Sequence, residues 1–135
     1  MKVGECVYAS THAELLNELL GRHYKAWMKS SLTLPDGKML WMIELGDFVS
    51  PAGWKNKLVS NTRISEKHVE KGFTYEGHRT YKGGYWPYPM VRVVFDVRKD
   101  GYRRKYIFRG VFRLNTEESK IDENIWDLIE DEYTI

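Results

Sequence analysis

Cysteine is nearly missing from this 135-residue chain: Cys6 stands alone. One thiol excludes an internal disulfide and gives no paired spacing for a zinc site. Histidine is sparse too, and His12, His23, His68 and His78 form neither an i,i+4 pair nor a His-x-His. Glu66 and Glu70 flank His68, but scattered solvated side chains are favoured over a metal site. No apolar run reaches signal-peptide or membrane-spanning length, so the expectation is a cytoplasmic protein without membrane association. Repeats, low-complexity tracts and long linkers are lacking, which points to a single domain over residues 1–135. The net charge is only +2, which excludes both a polyanion mimic and a histone-like polycation.

Catalytic signatures are lacking as well. Pro35-Asp36 and Glu118-Ser119-Lys120 supply the letters of a metal-dependent nuclease. The first reads better as a turn and the second as a polar loop. Lys82-Gly83-Gly84 lacks the strand-loop-helix context of a phosphate cradle. Cys6, in Gly-Glu-Cys-Val-Tyr, reads as a strand position rather than a nucleophile. The expectation is a non-enzymatic protein with no metal and no cofactor.

What the chain does have is aromatic and alternating sequence. Aromatics make up 14% of it, with five Trp and nine Tyr, a composition that fits a pleated sheet surface. Thr11-His-Ala-Glu14 is a capping box before a stripe of Leu15, Leu16, Leu19 and Leu20, with Gly21 as the stop. This predicts one short amphipathic helix over residues 11–20. Residues 24–34 and 39–45 read as a hairpin about Pro35-Asp36-Gly37, with a longer helix through Tyr24 and Trp27 as the alternative. Residues 46–61 read as a loop with a turn at Ser50-Pro51-Ala52-Gly53, and residues 63–69 as a short strand. Residues 91–98 alternate cleanly, Asp100-Gly101 turns the chain, and residues 102–114 return with a bulge near Arg109-Gly110. Residues 116–135 form an acidic turn and a last element that is either a helical turn or an edge strand. The fold class is α+β: a mostly antiparallel curved sheet or small β-barrel with one N-terminal helix.

Charge is distributed unevenly. Residues 92–113 carry eight bases against two acids, and residues 117–132 carry eight acids against one lysine. Arg92, Arg98, Lys99, Arg103, Arg104, Lys105, Arg109 and Arg113 thus fall on about two strands, where phosphate contacts would give salt-sensitive affinity. The plain alternative is the polar face of an amphipathic sheet. Residues 72–89 interleave glycines with Tyr81, Tyr85, Trp86 and Tyr88; together with Trp41 and Trp54 these rings suit base stacking, or else cover a core. DNA or RNA is the partner this combination suggests.

Leu40-Trp41-Met42-Ile43, Gly53-Trp54-Lys55-Asn56 and Ile64-Ser65-Glu66 are followed by Tyr106-Ile107-Phe108-Arg109-Gly110-Val111-Phe112-Arg113-Leu114. An acidic-Ser step at Glu117-Glu118-Ser119 and a close at Trp126-Asp127-Leu128-Ile129-Glu130 complete the order. This series resembles PUA-like modules, the EVE- and SRA-like readers associated with bacterial restriction-type nucleases and helicases. The resemblance covers roughly residues 38–135, leaving residues 1–37 as a helix and hairpin arm. It implies a β-barrel-like reader of nucleic acid, in some relatives of a modified or flipped-out base, with a nuclease or helicase as possible protein partner. Trp54 and Asn56 match the Gly-Trp-x-Asn motif, and Arg109 the strand before Gly-Val-Phe. The expected nucleic-acid-binding residues are Trp54, Asn56, Tyr85, Trp86, Arg92, Arg98, Arg103, Arg104, Lys105 and Arg109. A protein-binding inhibitor of a bacterial defence nuclease, carried by a phage or mobile element, is the competing expectation.

Overall fold

The computed structural model describes residues 1–46, 48–70 and 86–135. In chain order the elements are β1 (Cys6–Ala9), α1 (His12–Leu20), β2 (Ser31–Thr33), β3 (Met39–Ile43), β4 (Trp54–Ser60), β5 (Arg63–His68), β6 (Val91–Asp100), β7 (Arg103–Leu114) and β8 (Glu123–Glu130). The Gly-rich aromatic segment, with Tyr81, Tyr85, His78 and Lys82-Gly83-Gly84, lies outside the described residues apart from its end from Trp86 onward.

Helix α1 starts where the capping box places it. Thr11 is extended at φ −142°, and its Oγ1 accepts the Glu14 backbone N–H at 3.1 Å. Glu14 in turn accepts the Ser10 N–H at 3.1 Å, and Gly21 ends the helix at φ 62°. Ala13, Leu15 and Leu16 are its buried residues. The chain then bends back instead of extending. The Asn17 side chain donates to the Tyr24 carbonyl at 2.9 Å and accepts the Tyr24 N–H at 2.8 Å. The strand expected over residues 24–34 therefore shrinks to Ser31–Thr33. The Pro35-Asp36-Gly37 turn holds: the Gly37 N–H donates to the Leu34 carbonyl at 3.0 Å, and β2 pairs antiparallel with β3.

The strands form one sheet in the order β2-β3-β6-β7-β8-β5-β4, with β1 added on β7. Every strand pairing among the described residues is antiparallel except β3 with β6, so the sheet is mixed. Among the described residues it is also open, because no ladder joins β2 to β4. Two further expectations are corrected. Residues 54–60 are strand rather than loop, and residues 123–130 are an interior strand paired with both β5 and β7 rather than an edge.

The sheet buries both faces. Val93, Phe95, Tyr106, Phe108, Leu40 and Met42 pack with Leu15 and Leu16 on the helix side. Trp41, Ile43, Ile64, Val94, Phe112, Leu114 and Trp126 form a second core on the other side, here called the inner face. The β6–β7 hairpin bends between these layers at a bulge. Val94 pairs with Gly110 but Phe95 pairs with Phe108, leaving Arg109 as the extra residue. Gly110 is required there: at φ 116°, an added Cβ would meet Leu128 Cδ1 at 2.3 Å and the Glu130 carbonyl oxygen at 2.9 Å. Beyond the bulge β7 changes neighbours, from β1 at residues 104–107 to β8 at residues 111–114.

Among the described residues no helix is long and apolar enough to cross a membrane, and no group of three or more His, Cys, Asp or Glu is placed to hold a metal ion.

Candidate nucleic-acid interface

A cavity of about 860 Å³ opens at the end of β3. Strand alternation divides its lining into two parts. At one end Trp41, Trp54, Asn56 and Glu66 point from β3, β4 and β5 toward the inner face. At the other, His12, Val97, Lys99 and Arg104 line it on the helix side. Phe48, half exposed, and Ser50-Pro51-Ala52 form a wall between β3 and β4.

The inner end is built by a short run of local constraints. The Gly53 N–H donates to the Ser50 carbonyl at 2.8 Å, closing the expected turn, and the Trp54 N–H donates to Ser50 Oγ at 3.1 Å. Gly53 sits at φ 88°, where a Cβ would lie 2.8 Å from His68 Nε2, so the Gly-Trp step leaves no alternative to glycine. The Trp54 ring meets the His68 ring edge-on, with centroids 4.9 Å apart and planes at 89°. His68 Nδ1 accepts the Glu70 N–H at 3.1 Å, leaving Nε2 to donate to the Ala52 carbonyl at 3.0 Å. That pair of bonds fixes the tautomer and gives His68 a role in holding the Trp54 platform.

Asn56, Glu66 and Asn124 stand in one row across β4, β5 and β8. Glu66 Oε1 accepts Asn124 Nδ2 at 2.8 Å and Trp126 Nε1 at 3.3 Å, which orients the carboxylate from behind. Asn56 is 8% exposed, and its Oδ1 is buried with no hydrogen-bond partner. A buried acceptor left without a donor is costly, and such sites in native structures call for a reason. This end of the cavity therefore offers an aromatic wall and an unused polar edge.

The eight cations of the hairpin do not form one row. Arg92 is 6% exposed, with its guanidinium carbon 4.5 Å from the Trp41 ring centroid and 4.2 Å from that of Trp126. Arg98 and Arg109 both bond the carboxylate of Asp96, which is fully buried. Near the hairpin tip the picture changes. Lys99 and Arg103 are exposed, Arg104 and Lys105 half-buried, and the Arg103 guanidinium lies 5.4 Å from the Tyr8 ring centroid. Arg113 is exposed at the far end of β7. Beside the tip, His12 Nδ1 lies 2.8 Å from the buried Tyr106 hydroxyl. Burial, and secondarily the charge of Arg104, lowers the His12 pKa from 6.5 to about 4.

Of the expected binding residues, Trp54, Asn56 and Arg104 come together at one cavity. Trp86 is half-buried against the inner core instead, and Tyr85 lies outside the described residues. Glu66 and Phe48 were not foreseen as cavity residues, and only Glu66 had a signal, its alternation with Ile64 on β5; Lys99, one of the eight hairpin cations, also lines the cavity. The nuclease letters are dispersed into structural bonds. Asp36 accepts from Lys38 and from the Tyr133 hydroxyl, and Glu118 accepts from Arg63. Arg63 also binds Asp127 at 2.7 Å, which holds that carboxyl below the usual carboxylate range and ties β5 to β8.

Curated proteins give no match to the chain. Among solved structures the fold is similar to the 5-hydroxymethylcytosine-specific restriction enzyme AbaSI, with a TM-score of 0.69 and 22% identity. The similarity covers 95% of this chain but 40% of that one, so this chain corresponds to about two-fifths of the enzyme's length. The model of the SRA family, the SET and RING associated domain, matches residues 1–135, and by that match the chain belongs to the SRA domain family.

Proposed function

We propose that this protein is a DNA-binding reader module of a restriction-type system and that it takes a modified cytosine into the inner end of the cavity. The observation that carries this reading is the partnerless Asn56 Oδ1, buried beside the Trp54 ring and across the ladder from Glu66. A base lifted from a duplex needs stacking on an aromatic face and hydrogen bonds to its Watson–Crick edge. The Asn56 amide offers an acceptor for an exocyclic amino group and a donor for a ring nitrogen, the pair of functions cytosine presents. Glu66 supplies a second acceptor, which suits the amino group or a hydroxyl on a 5-substituent. Phosphate contacts come from the tip cations Lys99, Arg103, Arg104 and Lys105, close enough along the hairpin to flank the cavity. The 5-hydroxymethylcytosine specificity of the structurally similar restriction enzyme makes that base the first modification to try. The competing inhibitor reading draws no support from the family or from the cavity.

Fluorescence anisotropy with labelled duplexes carrying one cytosine, 5-methylcytosine or 5-hydroxymethylcytosine tests the proposal, with single-stranded DNA and RNA alongside. Tighter binding to a modified duplex is expected. Trp54→Ala should weaken it by about 1–3 kcal/mol, roughly 5- to 150-fold. Equal affinity for modified and unmodified duplexes, unaffected by Asn56→Ala, would overturn the base-reading mechanism.

A further inference from the structure

The segment that leaves β3 must cross to β4 to form the cavity wall, and among the described residues no ladder joins the two strands. The crossing is made at two consecutive residues. Leu45 is held on β6: its N–H donates to Asp96 Oδ1 at 3.0 Å, and its carbonyl accepts from Arg98 Nη2. Gly46 is held on β4, its N–H donating to the Asn56 carbonyl at 2.8 Å. The backbone of the residue at the centre of the reading site is thus tied, through Gly46 and Leu45, to a buried carboxylate on the other side of the seam.

That carboxylate is over-supplied with cations. Arg98 Nε donates to Asp96 Oδ2 at 3.1 Å, and Arg109 Nη2 reaches the same oxygen at 3.3 Å. One guanidinium would balance the charge. The second arrives because the bulge on β7 turns Arg109 toward the inner face, and it arrives at a cost: Arg109 Nε is buried with no hydrogen-bond partner. A cation placed to meet phosphate has no need of this geometry. A cation placed to fix a carboxylate, and through it a loop, does.

We propose that Asp96, Arg98 and Arg109 form a clasp that closes the β3–β4 seam and sets the wall of the cavity. Arg98 and Arg109 are then positioning residues rather than phosphate contacts. This rests on the reading of the cavity as a base site for its functional consequence, but the clasp itself is testable without DNA. In Arg98→Ala, amide hydrogen exchange at Leu45 and Gly46 should accelerate at least about tenfold, while Val94 and Phe95 on β6 stay protected. Arg98→Lys keeps the charge but not the fork that spans Asp96 and the Leu45 carbonyl, so it should show the same local acceleration. It also serves as the variant of choice if the alanine form fails to fold.

With DNA, Arg98→Ala should lose discrimination between modified and unmodified duplexes while the slope of log affinity against log salt stays unchanged. A slope reduced by about one with discrimination intact would mark Arg98 as a phosphate contact and overturn the proposal. Unchanged exchange at Leu45 and Gly46 in both variants would overturn it as well. If the unaltered protein binds no duplex, the base-reading proposal fails while the exchange experiment still decides the clasp.

Discussion

The β6–β7 hairpin carries the same residue type at its root and at its tip and uses it for different purposes. At the root, Arg92 is inserted between Trp41 and Trp126, and Arg109 reaches the buried Asp96, which Arg98, exposed and level with Lys105, binds from the tip side. Near the tip, Lys99, Arg103, Arg104 and Lys105 are exposed or half-buried on both sides of the Gly101-Tyr102 turn. In sequence these cations are one run. In the fold, an arginine beside an inward-facing aromatic or acid becomes a structural part, and one beyond the core becomes available to a polyanion. Composition within a strand therefore says little about charge at a surface until the faces are known.

The sharpest way to break this comparison is Arg92→Ala. It empties a site walled by two indoles and removes a desolvated cation–π contact, so the expected loss is about 3 kcal/mol in chemical denaturation. A loss below about 0.5 kcal/mol would show that the root arginine is no more structural than the tip. Gly110→Ala comes next, since the added methyl meets Leu128 and the Glu130 carbonyl at a left-handed φ. A loss of about 2 kcal/mol is expected by the same measurement, with tip residues unaffected in binding.

At the tip the effects invert. Arg103→Ala should leave stability within about 0.5 kcal/mol of the parent while lowering the salt slope of DNA binding by about one. A destabilisation as large as that of the root variant would end the distinction. The smallest expected effect concerns pH and the residue beside Arg104. His12 is held neutral in the fold, with its pKa lowered from 6.5 to about 4, so the unfolded chain takes up the proton first as pH falls. The stability this contributes is present above pH 6.5 and is lost progressively toward pH 4. Melting temperature against pH should therefore fall more steeply over this window in the parent than in His12→Gln; parallel curves would count against it.

Where local chemistry dictated the structure, the sequence was readable. The capping box fixed α1, the Pro-Asp-Gly turn fixed β2 against β3, and the alternation with Asp-Gly fixed β6 and β7, including the bulge at Arg109. β4 was missed because its inward positions are Trp54, Asn56 and Leu58: a polar residue at the centre of a short strand hides the period of two. β8 was ambiguous because Asn124, Ile125 and Trp126 are all buried, on both faces, which erases alternation altogether. The site divides the same way. Trp54 and Asn56 were named from the Gly-Trp-x-Asn motif, and they meet in the cavity. The fate of Arg92 was out of reach, because its two tryptophans lie on β3 and β8, far away along the chain, and only the sheet order brings them together.

The bulge at Arg109 has a consequence best put as parity. A strand assigns side chains to faces by odd and even count, and one inserted residue reverses the assignment for everything on its far side. Counted back from Phe112 on the inner face, Phe108 and Tyr106 should also face inward; the extra residue sends them to the helix side, and Arg104 with them. Deleting that single residue would leave every letter of the hairpin tip in place while exchanging which half of it looks into the cavity.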